Sequence, residues 1–115
     1  MTANYVARQL GYQMTEGWGQ GDKRTQAYFK PLKTFATRFE EYLRDIKALG
    51  FDALDLWTAI LHPDWATEDH IEAAVDALKA QDLTLTSYAG GFGSTDEEFE
   101  QVCELAADLG IGVLA

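Results

Sequence analysis

The chain has 115 residues, of which 47% are hydrophobic and 24% are charged, and its formal net charge is −10. This composition is typical of a single globular domain over 1–115, and the acidic balance argues against a nucleic-acid partner, since such binding begins with phosphate neutralisation. No apolar run approaches the roughly 18 residues that a membrane-spanning helix needs, so no membrane partner is expected. The single cysteine, Cys103, excludes an intrachain disulfide, and we expect it to be a buried thiol in a cytoplasmic protein.

The first half of the chain begins with a predicted strand over 6–14, VARQLGYQM, which a long loop over 16–33 follows. Apolar side chains at helical spacing then predict a helix over 35–49, and Gly50 occupies the position of a C-terminal cap. The apolar run FDALDLW, 51–57, is too short for a good helix and directly follows one, which favours a buried strand.

The second half repeats the same order. A second helix is predicted to begin after Thr67, and the run LTLTSY, 83–88, predicts the next strand. Ser94 followed three residues later by Glu97 is a capping-box signature, so the third helix should begin there. The short apolar run IGVLA, 111–115, predicts a last strand.

The spacing of these units predicts an α/β fold. From Phe51 to Leu83 is 32 residues and from Leu83 to Ile111 is 28, which is the size of one strand–helix unit. Such repeats form a parallel sheet, either an open doubly wound sheet or an eight-stranded barrel. In the strand over 51–57, leucines alternate with Asp55 and Trp57, and a polar side of this kind favours the interior of a barrel.

We therefore predict parallel βα repeats of the TIM-barrel type, with about four strands and three helices, which amount to half a barrel. Four such units leave both outer strands unpaired and cannot close a barrel. The sequence is then either the N-terminal part of a longer protein or a subunit of a homodimer.

Ligands gather at the C-terminal ends of parallel strands, which selects the loops that follow each predicted strand. Asp55 could accept hydrogen bonds from a sugar or hold a neighbouring loop. His62 could be a metal ligand, an acid–base group or a hydrogen-bonding residue that fixes its loop. No HExxH, CxxC or calcium-loop motif accompanies it, so these residues predict no metal site in the chain.

Aromatic and glycine residues complete the candidates. Trp18 could stack on a ligand or act as a lid, whereas Trp57 could close the interior and Trp65 could anchor the following helix. Gly90 and Gly91, in AGGFG, would let the backbone approach a ligand closely. A phosphate or carboxylate could be held by the basic residues of the first loop, which could equally be solvated: Lys23, Arg24, Lys30 and Lys33. None of these patterns identifies a catalytic residue.

The stretch over 42–115 resembles the sugar phosphate isomerase/epimerase family, whose members are xylose isomerase-like barrels. The shared features are a helix ending in LG, the strand FDALDLW with its inward acid, a helix followed by LTLTSY, the loop AGGFG, and a further helix that ends in LG before a short strand. LGYQM followed by GWG is similar to the first strand and loop of that family.

This resemblance implies a sugar or sugar-phosphate isomerase or epimerase, which moves a hydrogen between adjacent sugar carbons with the help of a divalent metal ion. The metal ligands and acid–base glutamates of the family come from later strands, so they have no counterparts in this chain. The alternative is a non-catalytic half-barrel module that binds a small polyol or assembles with a partner. The resemblance and the strand-end loops together place the following residues in the substrate pocket: Trp18, Asp55, Trp57, His62, Tyr88, Gly90 and Gly91.

Overall fold

The computed structural model describes residues 2–115. Its elements, in chain order, are α1 (Thr2–Leu10), α2 (Trp18–Phe29), α3 (Leu32–Ala48), β1 (Ala53–Trp57), α4 (Glu68–Gln81), β2 (Thr84–Ala89) and α5 (Asp96–Asp108). The two strands pair in parallel in a single sheet, so residues 2–115 form a small α/β domain. None of the helices in this part of the chain combines the length and the apolar character needed to cross a membrane.

The predicted half barrel is wrong, because residues 2–115 contain five helices and one two-stranded sheet in place of three helices and four strands. The predicted strand over 6–14 is replaced by α1, and the predicted loop over 16–33 carries α2. The reason for α1 is that Ala3, Val6 and Ala7 are all buried and stand at helical spacing, i, i+3 and i+4. The prediction began at Val6 and therefore missed the first of these three residues.

The predicted strand over 111–115 is reduced to one bridge, in which Leu114 pairs in parallel with Tyr88 of β2. Its backbone hydrogen bonds run from the Tyr88 N–H to the Val113 oxygen at 2.9 Å and from the Ala115 N–H to the Tyr88 oxygen at 3.0 Å. A segment this short does not add a full third strand to the sheet.

The hydrophobic core lies between the helices and one face of the sheet. In β1, Leu54 and Leu56 are buried, whereas Asp55 is exposed and Trp57 is half-buried on the opposite face. Three aromatic rings of α3 belong to this core, those of Phe35, Phe39 and Tyr42, and the stacked pair Phe35 and Phe39 has a centroid separation of 5.3 Å. Because one face of β1 is committed to the core, its other face is left to carry polar chemistry.

Two features of the helices differ from expectation. Cys103 is exposed on α5, because the buried stripe of that helix runs through Val102, Leu105 and Ala106 and does not include position 103. The helix cap lies one residue later than predicted, at Thr95. Its hydroxyl accepts a hydrogen bond from the Glu98 N–H at 3.2 Å.

The buried histidine of the chain has a structural role. His70 Nδ1 accepts a hydrogen bond from the Thr67 N–H at 3.1 Å, which completes a capping box at the start of α4. Its other ring nitrogen, Nε2, lies 2.9 Å from the Lys30 carbonyl oxygen and donates to it in the matching tautomer. Both nitrogens are therefore engaged in tying α4 to the junction of α2 and α3.

Candidate functional site

A cavity of about 490 Å³ opens where the C-terminal ends of β1 and β2 meet the starts of α1 and α2. Three of the predicted substrate-binding residues line it, namely Trp18, Asp55 and Trp57. Tyr42 of α3 lines the same cavity, and its hydroxyl shares a hydrogen bond of 2.7 Å with the hydroxyl of Thr2. The cavity lies at the strand ends, where ligands of parallel sheets are expected.

Asp55 is held by an irregularity in the pairing of the two strands. Leu54 pairs with Leu85, but Asp55 pairs with Ser87, so Thr86 is an extra residue that forms a β-bulge. Neighbouring side chains of a regular strand point to opposite faces, yet both hydroxyls reach Asp55 here. The Thr86 hydroxyl donates to Asp55 Oδ1 at 2.6 Å and the Ser87 hydroxyl donates to the same oxygen at 2.8 Å.

These hydrogen bonds also stabilise the charged form of Asp55. The hydroxyl of Thr86 and, to a smaller extent, that of Ser87 stabilise the carboxylate and lower its pKa below the ordinary value of 3.8. Asp55 is therefore ionised at neutral pH. Both hydroxyls use Oδ1, and within residues 2–115 the second oxygen, Oδ2, has no hydrogen-bond donor. That oxygen can accept a hydrogen bond from a ligand.

The two indole rings form the aromatic part of the cavity. Trp18 and Trp57 have centroids 6.2 Å apart and planes inclined at 79°, so that one ring meets the other edge-on. Trp57 is half-buried at the end of β1, whereas Trp18 is 64% exposed at the first position of α2. An exposed indole beside a cavity can pack on a ligand with little rearrangement of the core.

The loop before Trp18 is held in place by Gln20. Its side-chain oxygen accepts hydrogen bonds from the N–H groups of Thr15 at 2.9 Å and Glu16 at 3.1 Å, and its amide nitrogen donates to the Gln13 carbonyl at 3.2 Å. Gly17 has a φ of 80°, which a residue with a side chain would rarely adopt. The start of α2, and with it Trp18, is therefore positioned by local hydrogen bonds.

His62 and Gly91 lie in a separate cleft of about 240 Å³, which Glu98 also lines. His62 Nδ1 accepts a hydrogen bond from the Asp64 N–H at 3.1 Å and lies 3.6 Å from Asp64 Oδ2. This geometry corresponds to the loop-fixing interpretation of the histidine. The cleft does not join His62 to Asp55.

Tyr88 and Gly90 do not line either space. Tyr88 is fully buried, its hydroxyl donates to the Leu61 carbonyl, and burial raises the pKa of its phenol. Gly90 has a φ of 141°, and a Cβ added there would overlap the hydroxyl of Thr58. Close packing between two strand-end loops thus accounts for the absence of a side chain at this glycine.

The sequence predictions missed three residues that form the site. Ser87 and Thr86 were seen only as part of a strand, and no sequence signal indicates the bulge that brings both to Asp55. Tyr42 falls within the helix predicted over 35–49, and its buried ring belongs to the apolar stripe of that helix. The contact of its hydroxyl with Thr2 depends on α1, and the sequence predicted a strand over 6–14 in place of that helix.

The divalent metal ion that the resemblance implies would need several carboxylate or histidine ligands at this site. Asp55 is the only side chain of His, Cys, Asp or Glu type on the described wall of the cavity, and His62 lies in the other cleft. Across residues 2–115, no three such side chains are grouped in a way that could hold a metal ion. The residues present in the cavity therefore do not fit the metal by themselves.

In comparisons with known proteins, no family model matches the chain, and no curated protein or solved structure matches it significantly.

Proposed function

We propose that the cavity binds a small sugar or polyol, as the substrate-binding part of a sugar or sugar-phosphate isomerase or epimerase. The observation that carries the binding proposal is that one ionised carboxylate, Asp55, lines the same cavity as two indole rings, those of Trp18 and Trp57. The isomerase part of the proposal is supported by the sequence resemblance alone.

A sugar has two kinds of surface, and the cavity offers a partner for each. The C–H faces of the ring are apolar and pack well on indoles, which Trp18 and Trp57 supply. The hydroxyl groups donate hydrogen bonds, and Asp55 Oδ2 can accept one. The volume of about 490 Å³ lies within the range of small-molecule sites, which is roughly 300–1,000 Å³.

A non-catalytic module that binds a small polyol is the second candidate. It is favoured because Asp55 is the single carboxylate and the single charged side chain on the described wall of the cavity, and burial raises the pKa of the Tyr42 phenol, whereas moving a proton between adjacent carbons requires an acid and a base at the substrate. Asp55 alone can hold and orient a hydroxyl group. Any second acid–base group would have to come from outside the described wall of the cavity.

The first experiment measures sugar binding through the tryptophan fluorescence of the protein and through ligand-observed NMR. Asp55→Asn and Trp18→Ala should each weaken binding by roughly three- to tenfold, through loss of one charged hydrogen bond and of one stacking surface respectively. Asp64→Asn, in the His62 cleft, and Phe99→Ala, an exposed aromatic of α5, are the matched controls and should leave binding unchanged.

The second experiment tests turnover. The protein is incubated with aldoses and ketoses, with and without added divalent cations, and interconversion is followed by NMR. Turnover would support the isomerase, whereas binding without turnover would favour the polyol module. If no sugar or polyol binds, or if Asp55→Asn weakens binding no more than Asp64→Asn does, the proposed site is wrong.

A further inference from the structure

The charge on the cavity wall is unbalanced. Asp55 is the only charged side chain on the described wall, and the groups that hydrogen-bond it, on Thr86 and Ser87, are neutral hydroxyls. The three ion pairs between a lysine or arginine and a carboxylate within residues 2–115 do not include it. A ligand in this cavity therefore meets a negative charge that no basic side chain on the described part of the wall offsets.

The aromatic rings of the wall favour the same sign of ligand charge. Trp18 and Trp57 stand at 79° to each other, and Tyr42 adds a third ring to the lining. The faces of aromatic rings are electronegative, so rings that line the same cavity as a carboxylate add to its attraction for a cation. Indole is the best of the natural rings for this interaction.

We propose that the cavity selects a ligand that carries an ammonium group, which within the sugars means an amino sugar. This inference rests on the proposed sugar-binding function and narrows it. The ammonium group donates to Asp55 Oδ2 and lies near the indoles, while the sugar ring packs on the exposed face of Trp18.

The same charge disfavours a phosphorylated sugar. A phosphate close to Asp55 would be repelled, and the chain as a whole has a net charge of −10. The basic residues of α2 do not line the cavity, and the guanidinium of Arg24 lies 5.1 Å from the centre of the Tyr12 ring. The lysines and the arginine that the sequence suggested as phosphate ligands are therefore not placed to offset the negative charge of Asp55.

The test compares three probes of matched shape, namely glucosamine, glucose and glucose 6-phosphate, at low ionic strength. At about pH 6 an amine is protonated, so glucosamine is a cation there. We expect glucosamine to bind roughly three- to tenfold more tightly than glucose, since Asp55 is exposed and solvent screens its charge, and we expect glucose 6-phosphate to bind most weakly.

Asp55→Asn should remove the preference for glucosamine, because the amide keeps the acceptor for the two hydroxyls and loses the charge. Asp52→Asn, at the other end of the same strand segment, is the control and should keep the preference. Raising the ionic strength should shrink the preference in the unaltered protein, which gives a readout that requires no variant.

The outcomes separate the two proposals. Equal binding of glucosamine and glucose would overturn this inference and leave sugar binding intact. A preference that persists in Asp55→Asn would also overturn it. Absence of binding by every sugar, including glucose, would overturn the proposed function and this inference with it.

Discussion

Asp55 is exposed, but its environment is not that of an ordinary surface carboxylate. Two hydroxyls converge on one of its oxygens because the bulge at Thr86 places consecutive residues of β2 on the same neighbour. Bulges frequently lie beside functional sites, where they redirect a side chain or a backbone group. Here the bulge keeps Oδ1 engaged and leaves Oδ2 for a ligand.

Removal of the two hydroxyls should raise the pKa of Asp55. In the double variant Thr86→Val with Ser87→Ala, the carboxylate loses the hydrogen bonds that stabilise its charged form, so its pKa should move up toward 3.8. Carboxyl carbon shifts in an NMR titration measure this change. Asp52, whose pKa is lowered by its contact with Lys47, serves as the internal control and should not move.

The stability of the protein should follow the same titration. The folded-state pKa of Asp55 lies below its unfolded value, so its stabilising contribution is present above the unfolded pKa and is lost as the pH falls through the folded pKa. Acid unfolding of the double variant should therefore depend less steeply on pH in this window than that of the unaltered protein. Identical slopes would contradict the assigned hydrogen bonds.

Gly90→Ala should destabilise the protein. Its Cβ would overlap the hydroxyl of Thr58, and its φ of 141° is one that residues with side chains rarely adopt. We expect a loss of about 1–3 kcal/mol in the free energy of unfolding, measured with chemical denaturant. Gly91→Ala is the matched control, since a Cβ there meets nothing within 4 Å, and equal losses in both variants would contradict the explanation.

At the scale of single elements, α1 and α2 are the two helices that the sequence did not predict. The segment VARQLGYQM contains few strand-favouring residues, and its burial pattern is helical once Thr2 and Ala3 are included. In α2, Gly19 and Gly21 lower the helical propensity, and this is why the region was predicted as a loop. Gly21 packs closely in this helix, because a Cβ there would lie 3.0–3.1 Å from the side chains of Met14 and Ala3, which would have to shift by a few tenths of an ångström.

Substitutions at Thr95 and Ser94 should show which of these two neighbouring residues caps α5. Thr95→Ala should cost about 1 kcal/mol of stability, since it removes the hydroxyl that accepts from the Glu98 N–H. Ser94→Ala should be nearly neutral, because Ser94 contributes its backbone N–H to the Glu98 carboxylate and the variant keeps that group. Thermal unfolding measures both, and a larger loss for Ser94→Ala would place the cap where the sequence predicted it.

At the scale of the whole molecule, the buried phenols of several tyrosines should make the stability of the fold depend on pH in the alkaline range. Burial raises the pKa of Tyr88 and of Tyr42, and it raises the pKa of Tyr5 to about 12, from an ordinary value of 10.0. A raised folded-state pKa gives stability that is complete below the unfolded pKa and is lost as the pH rises above it. The protein should therefore unfold cooperatively in alkali, at a pH above 10.0.

Tyr88→Phe should separate the two effects of its hydroxyl. At neutral pH the variant loses the hydrogen bond to the Leu61 carbonyl and should be less stable by about 1 kcal/mol. In alkali it lacks an ionisable buried group, so its stability should fall less steeply with pH. Tyrosinate absorbance and circular dichroism follow the two transitions, and parallel pH profiles for both proteins would contradict the role of burial.

The sequence by itself determined the features that depend on local periodicity. The helical stripe from Phe35 to Leu43, the alternation of Leu54 and Leu56 with Asp55, and the parallel order of the 51–57 and 83–88 segments can all be read from neighbouring residues. These patterns persist because the burial of apolar side chains at a regular spacing is the largest local contribution to folding.

Only the tertiary structure decided the number of strands and the composition of the cavity. Whether a short apolar segment pairs as a strand depends on a neighbour that is distant in sequence, so neither α1 nor the single bridge at Leu114 could be read locally. The contact of Trp18 with Trp57 and the convergence of Thr86 and Ser87 on Asp55 join residues about 30 to 40 positions apart. Such contacts follow from packing and strand register, which no short stretch of sequence specifies.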